Sequence, residues 1–446
     1  SNIEVIAEGA FYNCKEIYAT RSKPIIVTVN GSGESAIREI GAYAFAECNN
    51  LKQYLDIPGV TKIGAHAFEN ASILGVLNAD EVIEIGDYAF SGTSLNTTAT
   101  GETLVFPALK KLGSFAFSKI NGKGSFTEIT LGPVEEMGMA VFAGSTVLLR
   151  KVTFADGATT VGELMFASLD VTGNIETFDA NGEPILNSVL TDVVIPNSVK
   201  NIGAYAFFGA TNLKPGGIDL TGVTNVGMYA FARCKSITSL DLTHIETIEP
   251  YAFSESGLTS ADLASATIIG ESAFAGTPLT ELKLPKAERI YAFAFAQTSL
   301  TSAQIPATMD TLTFDNEWDY ITIFGEFEHR NGRMLYRFGH GAFASSEALE
   351  SFTVAGGNTA YFVQDGVLYG KIAEDKFVLL QYPANRAGES YEVLMDTVRI
   401  ADGAFYGTKN LKTVVFPYTL KSIGSFAFRM SSVRDYYFNS VDAPVL

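Results

Sequence analysis

An apolar residue, usually a small spacer, two variable residues, a small residue and a Phe recur in that order along the chain. Ile40-Gly41-Ala42-Tyr43-Ala44-Phe45 and Ile423-Gly424-Ser425-Phe426-Ala427-Phe428 are two instances. The closing aromatic appears fifteen times between Phe11 and Phe428, with many intervals of 21 to 25 residues. A period of this size marks a solenoid: each repeat is one supersecondary unit that buries its apolar face only against its neighbours. The whole chain, 1–446, is therefore expected to be a single solenoid domain rather than several globular ones.

Within a repeat two halves are visible, most clearly in residues 279–295. In the first half Leu279, Leu282 and Leu284 face one side while Glu281 and Lys283 face the other, the period of a half-buried strand. Pro285 ends it, because proline has no N–H to give to the ladder. The second half carries Ile290, Ala294 and Phe295, a spacing that predicts a short helical or 3₁₀ turn. The Gly that commonly follows the motif Ile is expected where the backbone turns sharply. Stacking such units makes a parallel sheet on one side and an internal Phe column. Tyr43, Tyr88, Tyr205, Tyr229 and Tyr251 share the position two before the Phe, which implies packing along the convex side.

The pattern breaks at 167–190, 310–340 and 361–393. In the last of these, Val367-Leu368-Tyr369 and Phe377-Val378-Leu379-Leu380 are β-prone runs around a charged loop and predict a hairpin. Residues 310–340 begin as a repeat and lose the Ala-Phe pair, so they read as a degenerate repeat with a protruding loop. Such loops commonly carry binding specificity. Trp318, Tyr320, Phe324 and Phe327 are its candidate contacts. The chain opens inside a repeat, so the natural protein is expected to continue upstream, with any secretion signal or lipid anchor outside this sequence.

Composition changes the picture in two ways. At 47% hydrophobic and 18% charged the chain has apolar matter enough for a continuous core, yet no apolar run approaches the roughly 18 residues of a membrane span. A net charge of −18 disfavours nucleic acid and anionic lipid, leaving cations, basic protein segments and neutral glycans as partners. The three cysteines, Cys14, Cys48 and Cys234, each lie three residues after a motif Phe, where other repeats carry Thr93, Thr277 or Thr298. That reads as one packing slot for a small side chain. Cys14 and Cys48 approach each other only if their repeats stack directly.

Catalytic groups do not converge. His66, His244, His329 and His340 are scattered without metal-pair spacing, and no nucleophile elbow, phosphate loop or zinc motif is present. No catalytic, cofactor-binding or metal-ligating residue is assigned, and the chain is expected not to be an enzyme. What remains is a row of outward strand positions, Asp219, Asp241, Asp262, Lys283 and Gln304, with Glu281 two residues before Lys283. With strands about 4.8 Å apart, stacked carboxylates repel unless solvated or bound to a cation, so the row is either a solvated acidic face or a binding face for a basic segment or calcium.

Ile195-Pro196, Val199, Ile202-Gly203 and Ala206-Phe207 follow the string of a known family, and the chain resembles the BspA-like leucine-rich repeat proteins of bacterial surfaces over nearly its whole length. Residues 365–393 resemble that family's hairpin-bearing repeat, and 431–446 its terminal strand and cap. The fold implied is an α/β-type solenoid dominated by β-structure. It is a right-handed leucine-rich repeat with a parallel concave sheet, short helical or 3₁₀ turns opposite, and a hairpin insertion near 361–393. The function implied is a non-catalytic extracellular adhesion module that binds host matrix or plasma proteins such as fibronectin or fibrinogen. The alternative is a spacer or assembly region of a larger surface protein.

Overall fold

The computed structural model describes residues 3–15, 37–49, 51, 53–93, 103–120, 127–144, 149–166, 168–169, 175–176, 190–309 and 338–439. The chain divides into two compact units, Ser1–Asp241 and Leu242–Leu446. In both, a repeat carries two short parallel strands where the sequence suggested one. The first is the expected alternating strand of three to five residues. In the first unit Thr103–Phe106, Glu128–Leu131, Lys151–Phe154 and Asp192–Val194 pair in register, with Leu104, Ile129, Val152 and Val193 buried beneath. In the second unit Ser260–Asp262 pairs with Glu281–Lys283, and Ser302–Ile305 with Ser351–Val354.

The second strand is two residues long and ends on the motif Ile. Val5–Ile6, Glu39–Ile40, Lys62–Ile63, Glu84–Ile85, Lys111–Leu112 and Glu136–Met137 form one parallel ladder in the first unit. Thr247–Ile248, Ile268–Ile269 and Arg289–Ile290 form another in the second. A two-residue strand is too short for alternation to announce itself. Its mark in the sequence is only a polar residue before the motif Ile.

The Ala-Phe segment is neither helix nor 3₁₀, which corrects the turn expected there. Tyr43 and Glu47, on either side of Phe45, are left-handed, with φ of 54° and 62°. Those two residues interrupt any helical run. The intervening N–H groups split their bonds: Ala44 and Ala46 donate within the turn to Gly41 and Tyr43, while Tyr43, Phe45 and Glu47 donate to Ala65, Ala67 and Glu69 of the next repeat. Every amide of the turn is thus paired without a helix. The same left-handed position recurs at His66, Tyr88, Phe115, Tyr205, Tyr229, Tyr251 and Phe293. For a bulky residue this conformation is uncommon, and the repeat-to-repeat bonds hold it.

The spacer Gly has a different role from the one expected. Gly64 and Gly86 are not left-handed. A Cβ on Gly64 would lie 2.6 Å from the backbone N of Ala42, so the glycine allows the preceding repeat to approach. The Phe residues stack as predicted. In the first unit Phe11, Phe45, Phe68, Phe90 and Phe117 run with ring centroids 5.0 to 5.3 Å apart and nearly parallel planes, and Phe253, Phe274, Phe295 and Phe343 continue the pattern in the second. The slot three residues on is a hydrogen-bonding slot as well as a packing one. Thr93, Thr277 and Thr298 donate Oγ1–H to the carbonyl of their own motif Phe at 2.7, 2.7 and 3.0 Å, and the thiols of Cys48 and Cys234 donate to Phe11 and Phe207 of the preceding repeat at 3.1 Å.

The second unit contains the predicted hairpin, extended by one strand. Tyr361–Gln364, Val367–Ala373 and Lys376–Gln381 form an antiparallel meander, and Lys376–Gln381 then pairs in parallel with Thr397–Ile400, returning the chain to the repeat. Asp365 and Gly366, with φ of 51° and 79°, make the first turn, the Asp-Gly pattern of a two-residue hairpin loop. Beside it the hydroxyls of Tyr369 and Tyr391 are 2.7 Å apart. Burial pushes the Tyr369 phenol up to about 12 and raises that of Tyr391, so both stay neutral donors and acceptors. The guanidinium of Arg386 lies over the rings of Tyr382 and Tyr391. Of the irregular stretch 167–190, only the antiparallel pair Ser168–Leu169 and Ile175–Glu176 and residue Leu190 are described. In the predicted cap, Asp435–Phe438 pairs with Thr413–Phe416.

Candidate interaction surface

Strand alternation leaves two kinds of outward row. On the longer strands of the first unit, Thr103, Glu128, Lys151 and Asp192 are neighbours in one row, and Val105, Thr130, Thr153 and Val194 in the next. Val105 and Val194 are 42% and 46% exposed, so the second row is a flat strip of β-branched side chains beside a row of mixed charge. The two-residue strands present a row that alternates in sign: Glu39, Lys62, Glu84, Lys111, Glu136. Lys62 pairs with Glu39 at 3.3 Å, Lys111 with Glu136 at 2.7 Å and, one residue earlier, Lys110 with Glu135 at 3.1 Å. The hydrogen bond and charge of Glu136 raise the Lys111 ammonium above its ordinary range. Farther along the unit the equivalent row turns neutral, and Asn225 donates its amide to Asn201 at 2.8 Å.

Such alternation favours one order of neighbours, since a slip by one repeat would set like charges opposite. Reversing Lys111 to Glu is expected to lower the thermal midpoint at low ionic strength, with the deficit shrinking in high salt, as for other exposed pairs. A salt-independent loss would mean that Lys111 acts through packing.

The sequence-predicted face is distributed over both units. Asp219 is exposed and occupied with its own turn, accepting from Thr221 N at 2.9 Å and Thr221 Oγ1 at 2.6 Å. Asp241 is exposed at the end of the first unit. In the second unit Asp262 and Lys283 are direct cross-strand partners joined at 3.0 Å, which compensates that carboxylate. Glu281 stands opposite Ser260, and Gln304 opposite Thr353, both exposed. Among the described residues no three His, Cys, Asp or Glu side chains gather closely enough to hold a metal ion. Trp318, Tyr320, Phe324 and Phe327 lie outside the described residues.

The aromatic positions two before the Phe form a second stack, half-exposed. The ring of His66 lies between Tyr43 and Tyr88 at 4.5 and 5.0 Å, Tyr88 continues to Phe115 at 4.8 Å, and His66 Nδ1 is 2.8 Å from Glu69. Within this stack the rings cover one another's faces and offer their edges outward. His340 packs edge-on to Phe293, and His244 is exposed.

The model of the BspA type leucine rich repeat region, present in six copies, matches residues 1–104, 38–172, 186–301, 246–362 and 387–443. The chain belongs to this family. No curated protein matches it. Among solved structures, this BspA type chain is similar to a leucine-rich repeat protein of Bacteroides ovatus, with 20% identity over 92% of this chain and 90% of that one and a TM-score of 0.42. A leucine rich cell surface protein of Faecalibacterium prausnitzii is 20% identical over 77% of this chain and 71% of that one, with a TM-score of 0.39. The pneumococcal vaccine antigen PcpA is 22% identical over 66% of this chain and 62% of that one, also with a TM-score of 0.39. Among the described residues no helix is long and apolar enough to cross a membrane. In this BspA type repeat the motif residues are consumed by packing and backbone pairing. Among the described residues, the outward strand rows are not taken up by that packing.

Proposed function

We propose that this chain is a non-catalytic protein-binding module displayed on the outside of a bacterial cell. The observation that carries the reading is the strip Val105, Thr130, Thr153 and Val194, a flat face of β-branched side chains bordered by Glu128, Lys151 and Asp192. An apolar centre with a charged rim suits a protein surface better than a small polar ligand. Asp241, Glu281 and Gln304, exposed at outward positions, give each unit further polar contacts, and the overall charge of −18 favours partners with basic patches. In this reading calcium acts as a bridging ion at the acidic positions rather than as a resident cofactor.

The test is capture of the chain by immobilised extracellular matrix and plasma proteins, with and without calcium, comparing the parent with a V105E/V194E double variant. Loss of about tenfold or more in affinity with unchanged melting supports the strip as the contact, since desolvated charge there costs on the order of 1.4 kcal/mol or more. Capture unchanged by the double variant but lost on deleting 310–337 would transfer recognition to that segment. The self-compensated charge row of the first unit supports a second reading, a spacer that holds other domains apart, which absence of capture by any surface protein would favour.

A further inference from the structure

Cys14 and Cys48 occupy equivalent slots in repeats that the structure places side by side. Val5 pairs with Glu39 and Ile6 with Ile40, Phe11 and Phe45 stack at 5.0 Å, and Asn13 donates to Ala46 at 2.8 Å, one residue before Cys14. The Cys48 thiol reaches into the neighbouring turn and donates to the carbonyl of Phe11 at 3.1 Å. That carbonyl also accepts the backbone N–H of Cys14 at 3.2 Å. The Cys48 thiol and the Cys14 backbone therefore meet at one carbonyl. At the general spacing of about 4.8 Å between adjacent strands, directly stacked positions fall inside the Cα separation of roughly 4.4–6.8 Å that a disulfide spans. Both thiols are free, Cys14 half-buried and Cys48 fully buried. Cys234 is an internal control: it sits in the same kind of slot, also fully buried, but the preceding repeat carries Ala210 there.

We propose that Cys14 and Cys48 are the site of an inter-repeat disulfide, closed by exchange with a low-molecular-weight disulfide. Cys14, the more exposed thiol, loses its proton and attacks one sulfur of the small disulfide. That S–S bond breaks, and the released thiolate takes up a proton. Cys48 then loses its proton and attacks the Cys14 sulfur of the mixed disulfide, expelling the second small thiolate, which is protonated in turn. Two protein thiols are oxidised, one small disulfide is reduced to two thiols, and the protons balance. The product ties the turn ending at Cys14 to the turn ending at Cys48 and closes the intervening chain into a loop, which restricts the unfolded ensemble. An oxidising exterior is where such a link persists. The inference does not depend on the binding reading above.

The full chain is incubated with oxidised glutathione, and its peptides are mapped without reduction. The expected product is a Cys14–Cys48 cross-linked peptide lighter by two hydrogens, with Cys234 still titrating as a thiol and a thermal midpoint that rises and falls back on adding a phosphine reductant. C48A should stop at a glutathione adduct on Cys14, whereas C14A should leave Cys48 and Cys234 unmodified. A wild-type chain that carries only the Cys14 adduct, or a cross-link that includes Cys234, overturns the proposal. Reoxidation of the denatured chain guards against slow access: refolding without any Cys14–Cys48 link would overturn it as well.

Discussion

Phe90→Ala is expected to destabilise the first unit by about 3–5 kcal/mol, the range for removing a fully buried aromatic from a core that cannot collapse around the loss. Phe90 is fully buried and lies between Phe68 at 5.3 Å and Phe117 at 5.2 Å, with planes within 7° of parallel on both sides. Its backbone N donates to Ala116, its carbonyl accepts from Thr93, and the carbonyl of Ala89 just before it accepts from Phe68, so the turn is held on both sides of the missing ring. The cavity therefore stays open. In a repeat array each unit contacts only its neighbours, and the loss should concentrate in the turns around residues 68, 90 and 117. Urea unfolding followed by hydrogen exchange checks this: the expected result is a lower midpoint with protection lost first at those three turns. Phe11→Ala, at a ring 41% exposed, is expected to cost much less. Equal losses at both positions would mean that the column contributes uniformly and that burial does not set the cost.

Residues with large apolar side chains and a fixed period announced the solenoid, its Phe column and the alternating strands, because burial of such side chains has to repeat with the backbone. The hairpin was readable for the same reason in Phe377-Val378-Leu379-Leu380. Three features were hidden because they are backbone properties. The two-residue strands carry too few positions for a period to show. The left-handed residues at Tyr43, Tyr88 and Phe115 have side chains that ordinarily argue against that conformation, and only the bonds to the next repeat make them legible. The adjacency of Cys14 and Cys48 depended on whether two motif Phe residues 34 positions apart stack directly, which no local pattern answers; the pairing of Ile6 with Ile40 does. At the candidate surface, the sequence identified outward charges but not their partners. Asp262 read as one of a repelling set, whereas the structure gives it Lys283. The alternation Glu39, Lys62, Glu84, Lys111, Glu136 was in plain view once the residue before the motif Ile was recognised as a strand position.

Gly86→Ala separates close approach from backbone strain. Gly86 is not left-handed, so Ala meets no strain of that kind there, and its amide donates to Ile63 at 2.8 Å. A Cβ would nevertheless sit 2.5 Å from Ala65 N and 2.8 Å from Gly64 C, both backbone atoms of the preceding turn. No side chain can rotate away. The turns must part, lengthening the bonds that join His66 to Asp87 and Gly86 to Ile63, and the expected cost is about 1–3 kcal/mol, as for overpacking a close-fitted core. Tyr291, which stands where most repeats have this Gly and still donates to Ile269 at 2.9 Å, shows that a turn can open to admit a side chain, so the cost measures how far the turn at Gly86 yields. Gly356→Ala is the matched control: its Cβ meets nothing within 4 Å and its φ is not left-handed. It should be neutral or stabilising by about 0.4–1 kcal/mol through the unfolded chain. Denaturant midpoints of the two variants should therefore move in opposite directions or differ by the full contact cost. Coincident midpoints would show that the recurrent glycine is kept for some property other than the distance between turns.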